Sequence, residues 1–245
     1  MTVFVLVHGL DDTPDSWAPL TAALEGEAIT LELPWRAGAD VRWRRDGTAG
    51  AWLRRRLRAL GTPYDVLIGH SLGANAVLDV LAGGTDAAAA VLIAPLYRPP
   101  DWGVTWDLFT LCRQHFEAVI RERGRALDRR RETDPAAVDE LLDRIIDRLG
   151  PARFITLFEE FVATGDLPLG AVTVPTLVLS GADDPGLSFG RAEGLASALP
   201  HATLVLDTSL RHDAHATQAE TVARHIRGYL SARCLTGSPR HSSAG

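Results

Sequence analysis

Residues 69–73 read Gly-His-Ser-Leu-Gly, so Ser71 sits at G-x-S-x-G spacing between an apolar run and an Ala-rich amphipathic stretch. A serine at a sharp strand-to-helix corner projects its Oγ above a sheet. Small residues two before and two after it leave room for neighbouring backbone. The chemistry such a hydroxyl serves is acyl transfer, in which negative charge develops on a carbonyl oxygen and needs N–H donors. A helix starting after Ser71 aims its first amides at that charge, and Leu72 supplies the nearest one. A second donor is expected after the first strand. There "VHGL" (7–10) turns at Gly9 and presents the N–H of Leu10.

Those groups need a scaffold that brings strand ends together. Short, nearly unbroken apolar runs at 2–9, 28–34, 64–70, 89–95, 175–181 and 202–207 read as strands covered on both faces. Helical patterns alternate with them at 15–26, 48–61, 74–84 and 220–232; the second places Trp52, Leu53, Leu57 and Leu60 on one face. The alternation predicts an α/β fold with a doubly wound, mostly parallel sheet.

One interval departs from this rhythm. Between Pro95 and Pro175 the pattern is helical only, with apolar stripes over 106–124, 134–150 and 151–165. That is too long for an ordinary connection. It predicts a helical cap inserted after the fourth strand and lying over one edge of the sheet. The expected organisation is a core of 1–97 and 169–233, a cap of 98–168, and a polar tail of 234–245.

At this point the chain resembles the α/β-hydrolase family over nearly its whole length. "HGLDDTPDSW" is similar to the family's HG-x…W opening, "GHSLGA" to its nucleophile elbow, and "VPTLVLSGADDP" to the strand that delivers the acid. The resemblance implies a catalytic triad in the chain order serine, acid, histidine, with Ser71 as nucleophile. In the family pattern the acid stands three residues after the strand-ending glycine, which selects Asp184, with Asp183 the alternate. Aligning "QAETVARHI" to the last helix selects His212 as base, with His215 the alternate. His225 falls inside that helix as a surface residue. Arg211 and Ala219 replace the glycine and proline the family usually carries here. A serine nucleophile disfavours the family's dehalogenase and epoxide hydrolase branches, which use a carboxylate.

What remains is cleavage of a small-molecule ester or thioester. Carrier-bound acyl chains, lactones, C–C bonds and elimination by a lyase on the same triad stay open, as does a non-catalytic ligand-binding protein of the same fold. Trp35, Tyr97, Trp102, Trp106 and Phe109 are candidates to line an apolar pocket; packing within core and cap is the competing reading. Arg36 either meets a substrate carboxylate or is solvated. The basic run 121–134 is read as a solvated surface, or as a dock for an acidic acyl-carrier domain.

The 245 residues hold 25 cationic residues, all Arg, against 31 acidic ones, a net charge of −6. This argues against non-specific binding to nucleic acid or an anionic membrane. Cys112 and Cys234 lack metal-ligand spacing and are expected to be unpaired. No metal or organic cofactor is required. With no basic leader before its first apolar run and no membrane-length stretch, the chain reads as cytoplasmic.

Overall fold

The computed structural model describes residues 1–128, 134–186 and 191–234. Six strands form one parallel sheet: β1 (Val3–Val7), β2 (Glu27–Leu31), β3 (Val66–His70), β4 (Ala89–Ile93), β5 (Thr176–Gly181) and β6 (Ala202–Asp207). Their order is β2-β1-β3-β4-β5-β6. Five lie within runs expected from the sequence, and β2 starts one residue ahead of its expected run 28–34.

Alternate residues of each strand face opposite layers. Val5, Val7, Leu67 and Val178 pack with α2 (Ala49–Leu60), α3 (Leu72–Ala82) and α6 (Arg191–Ala198). Phe4, Leu6, Ile68 and Leu179 pack with α1 (Ala18–Ala23), α7 (Ala214–Thr217) and α8 (Ala219–Cys234). Fully buried side chains such as Leu6 and Ile68 each contribute about 1.5–3 kcal/mol relative to exposure. Local signals set the helix ends: Thr48 accepts from the Ala51 N–H before α2, and Gly61 closes it at φ 65°.

The strand order reverses between β1 and β3. Their following loops therefore separate and leave a crevice at the carboxyl ends, where such sheets bind ligands. Above it lie α4 (Trp106–Asp128) and α5 (Pro135–Ala163), both between β4 and β5. The expected break within α5 is at Gly150, whose φ of 67° interrupts the helix just before Pro151. Ion pairs fasten α5 to the core. Arg44 joins Glu159 and Glu160, and Arg153 Nη1 is 2.6 Å from Asp11 Oδ1. Among the described residues no helix is long and apolar enough to cross a membrane. The expected tail from 235 onward, the Cys234 side chain and residues 129–133 of the basic run lie outside the described residues.

Candidate active site

The turn after β3 is built by its two glycines. A Cβ on Gly69 would lie 2.6 Å from the Gly73 carbonyl oxygen, and one on Gly73 would lie 2.2 Å from that of Val7. Neither approach is physically possible, so both positions are restricted to glycine. Ser71 itself is held at φ 51°, ψ −121°, outside the regions ordinary residues favour. Its N–H donates to the Ile93 carbonyl at 2.9 Å, pinning the corner to β4. Surrounding structure thus over-determines one strained residue and leaves its hydroxyl free to face the crevice.

That hydroxyl meets His212. Ser71 Oγ is 3.3 Å from His212 Nε2, and His212 Nδ1 is 2.9 and 3.1 Å from the two Asp184 oxygens. Since Nδ1 faces only a carboxylate, it carries the proton of the neutral imidazole, whose Nε2 is then left to accept from the Ser71 hydroxyl. Asp184 is buried after β5, and its Oδ1 also accepts from the Gly186 N–H at 2.7 Å. Burial pushes the imidazole down, but the charge and hydrogen bond of Asp184 overcome it and raise the His212 pKa to about 9. Asp183, the alternate acid, is exposed.

The residues expected to supply the two amides, Leu10 and Leu72, lie next in sequence to Gly9 and Ser71. Leu72 opens α3, ahead of the first intrahelical bonds, which run from Ala74 and Asn75 to the Ser71 carbonyl. Gly9 brings the β1 loop against the serine: a Cβ there would stand 3.3 Å from Ser71 Cβ. Leu10 follows it and lines the same cavity. His8 secures this loop by donating from Nδ1 to the Gly9 carbonyl at 2.9 Å, while its Nε2 accepts from the Leu33 N–H at 3.3 Å.

His215 stands apart from the hydroxyl. It is fully buried, with Nε2 3.4 Å from Asp12 Oδ2 and 3.3 Å from Ser16 Oγ. Burial alone would raise the Asp12 carboxyl, but His215, Arg123 and the Thr13 N–H hold it down at about 2. His70 lies between the two histidines, its ring tilted against His215 at 4.1 Å and edge-on to His212 at 5.1 Å. Its Nε2–H donates to the His212 carbonyl at 2.9 Å. Burial first, then the charges of His215 and His212, keep His70 neutral. Asp12, His70 and His215 each offer a ligand atom within 4.8 Å of the others, the one group among the described residues with metal-like spacing. The overlapping rings and the existing Asp12 ion pairs already account for this packing.

A cavity of about 290 Å³ opens from Ser71 into the cap. Its apolar wall comes from α4 and α5, through Phe116, Val119, Ile120, Phe154, Leu157 and Phe158. Asp11, Arg123 and Arg191 are charged members of the lining. Burial raises the Asp11 carboxyl to about 6 against the pull of Arg153 and Arg123.

The five aromatic pocket candidates require correction, for none lines this cavity. Trp35 is fully buried, donates from Nε1 to the His8 carbonyl at 2.9 Å, and packs on Trp43. Tyr97 belongs to the core between sheet and helices, and Trp102 packs with Leu96, Leu108 and Phe161. Trp106 is exposed and stacks on Phe109, which supports Phe154 and Phe158 from behind. Arg36 is solvated and pairs with Glu32. The wall was nonetheless present in the sequence as a helical stripe: 112, 115, 116, 119, 120 and 123 on α4, and 154, 157, 158 and 161 on α5. His225, taken as a surface residue, is partly buried and pairs with Asp207 at 2.9 Å.

Comparison with known proteins agrees with this architecture. No curated protein sequence matches the chain. Among solved structures it is similar to a membrane phospholipase A described as a bacterial virulence factor, with 19% identity, a TM-score of 0.65, and coverage of 94% of this chain and 79% of that one. It is also similar to a bromoperoxidase from Bacillus anthracis (19% identity, TM-score 0.64, 94% and 92% coverage). A hydrolase from Oleispira antarctica aligns at 17% identity with a TM-score of 0.63, covering 94% and 91%. These likenesses speak to fold. The model of the alpha/beta hydrolase family matches residues 4–225, and the chain belongs to that family.

Proposed function

We propose that the protein is a serine hydrolase that cleaves a small-molecule carboxylic ester or thioester through an acyl-enzyme intermediate. The observation that carries this reading is the wiring of one histidine. His212 has Nδ1 on Asp184 and Nε2 3.3 Å from the Ser71 hydroxyl, at the mouth of an apolar cavity. Catalytic hydrogen bonds of this length commonly tighten once substrate is bound.

The chemistry follows from the geometry. Ser71 Oγ attacks the substrate carbonyl as its proton passes to His212 Nε2, and Asp184 stabilises the imidazolium so formed. The new oxyanion accepts from the Leu10 and Leu72 N–H groups; losing one such donor costs about 10²–10³ in rate. Collapse breaks the bond to the leaving oxygen or sulfur, which takes the proton back from Nε2. Water then repeats the sequence on the acyl-serine, releasing the acid and restoring the Ser71 hydroxyl. The cavity, near the lower end of the roughly 300–1,000 Å³ range of ligand pockets, favours a small apolar substrate portion.

The test combines labelling with a substrate panel. A fluorophosphonate should modify Ser71 in the folded protein, located by peptide mapping. p-Nitrophenyl esters of graded chain length, run beside acyl thioesters, should show turnover that peaks at short to medium length. Absence of Ser71 labelling together with no turnover of either class would overturn the assignment.

A further inference from the structure

Arg191, the first residue of α6, has no counter-charge among the described residues. It is 3% exposed and lines the cavity. Its Nη2 makes only a long contact of 3.7 Å to Cys112 Sγ, and its Nε is buried with no acceptor. The guanidinium carbon lies 4.7 Å from the Phe161 ring centre and 5.9 Å from that of Trp102. Among the described residues no carboxylate stands within ion-pair distance of it. The preceding residues 187–190, Leu-Ser-Phe-Gly, carry none in their side chains. The cavity's other arginine differs: Arg123 is 3.4 Å from Asp12 and 3.2 Å from Asp213.

A guanidinium keeps its proton at any physiological pH, so it cannot escape burial by becoming neutral. Burial nonetheless drives its pKa downward, with only the Cys112 sulfur opposing. Aromatic faces offset part of the lost hydration but supply no negative charge. Resting on the hydrolase reading above, we propose that Arg191 determines specificity by pairing with a carboxylate that the substrate carries at its end remote from the scissile carbonyl. A single planar cation among apolar rings matches a monoanionic carboxylate, which it can hold through two parallel hydrogen bonds. A dianionic phosphate would leave one charge unmatched.

Two pairs of hexanoyl-scale esters test this on the intact protein. In the first pair the carboxylate is on the acyl side: mono-p-nitrophenyl adipate against p-nitrophenyl hexanoate. In the second it is on the leaving group: the hexanoate ester of 4-hydroxybenzoate against that of its methyl ester. We expect kcat/KM to favour the carboxylated member of at least one pair by about 10²-fold, and the preferred arm identifies which side enters the cap. Arg191→Gln should erase that preference while leaving the neutral ester and the fluorophosphonate labelling rate within about threefold, and Arg191→Lys should restore part of it. Competitive inhibition of the unaltered protein by adipate and its monomethyl ester, each of which keeps a free carboxylate, but not by the dimethyl ester gives the same answer without a variant. Equal rates within both pairs, with Ser71 still labelled, overturn the role of Arg191 and leave the hydrolase reading intact. A preference that survives Arg191→Gln also overturns it. Failure of labelling strikes the hydrolase reading instead.

Discussion

Ser71, His212 and Asp184 form one Ser–His–Asp grouping in this protein; Ser16, His215 and Asp12 form another. His70 is packed between their histidines. Residue types are identical and the serine–histidine distance is 3.3 Å in both, yet the hydrogen bonds run differently. In the first, opposite ring nitrogens serve opposite partners, so a proton taken from Ser71 at Nε2 is balanced by Asp184 at Nδ1. In the second, one nitrogen, Nε2, faces both Asp12 and Ser16, while Nδ1 has no hydrogen-bond partner among the described residues. The Ser16 hydroxyl donates to the Thr13 carbonyl at 2.8 Å, pointing its proton away from the imidazole. The first grouping opens on the cavity at Ser71; Ser16 is not among the cavity residues. Relay function therefore comes from which nitrogen faces which partner, and from access, rather than from composition.

The largest effects should separate the two serines and the two histidines. Ser71→Ala should lower kcat on the order of 10⁶-fold with the melting point within about 2 °C, whereas Ser16→Ala should leave kcat within about threefold. Comparable losses at both serines would break the distinction. His212→Ala should match Ser71→Ala in rate loss. His215→Ala should lower kcat by less than about tenfold but cost about 3 kcal/mol of stability, because Asp12 stays buried with less compensation. Thermal melts and single-substrate kinetics on the same preparations check the crossover.

This contrast also shows what the sequence could and could not disclose. The sheet was legible because each buried strand is a short apolar run with its own turn signals. The elbow was legible because the clashes that demand Gly69 and Gly73 involve a local corner. Asp184 and His212 came from family pattern rather than from spacing. Residues 212 and 215 differ by three positions, yet one faces Ser71 and the other Ser16. No local rule decides that. The cavity wall was misplaced because aromatic content at 97–109 drew the reading to the cap's entrance. The chemistry of the wall lay instead in the i, i+3, i+4 stripes of α4 and α5. Arg191 was invisible as a site, since its lack of a carboxylate exists only in three dimensions.

Acid and base should act on the two groupings in opposite directions. His212 is raised from 6.5 to about 9 against the opposing effect of burial, so the charge pair with Asp184 stabilises the fold fully below 6.5 and is lost as pH rises through about 9. Asp12 is lowered from 3.8 to about 2 despite burial; its contribution is complete above 3.8 and is lost as pH falls through about 2. Catalysis needs the unprotonated Nε2. Hence kcat/KM should rise by about 10²-fold between neutral pH and the alkaline plateau, with its midpoint near the raised His212 value. A midpoint at or below 6.5 would show that burial outweighs the Asp184 charge at His212.

The smallest effect concerns the residue that joins the two groupings. His70 donates to the His212 carbonyl at 2.9 Å and packs its ring against His215, so it fixes the backbone that aims the His212 ring while touching no reacting atom. His70→Leu removes the donor and leaves a buried carbonyl without it; kcat should fall by about tenfold with KM nearly unchanged, as expected for misaimed chemistry. His70→Gln keeps an N–H able to reach the same carbonyl and should recover to within about threefold. Both variants lose the imidazole ring contact and should lose similar stability. A merely packing role would impair Leu and Gln equally. A positioning role separates them in kcat while their melting points agree, and that divergence isolates the His70–His212 hydrogen bond from the ring contact with His215.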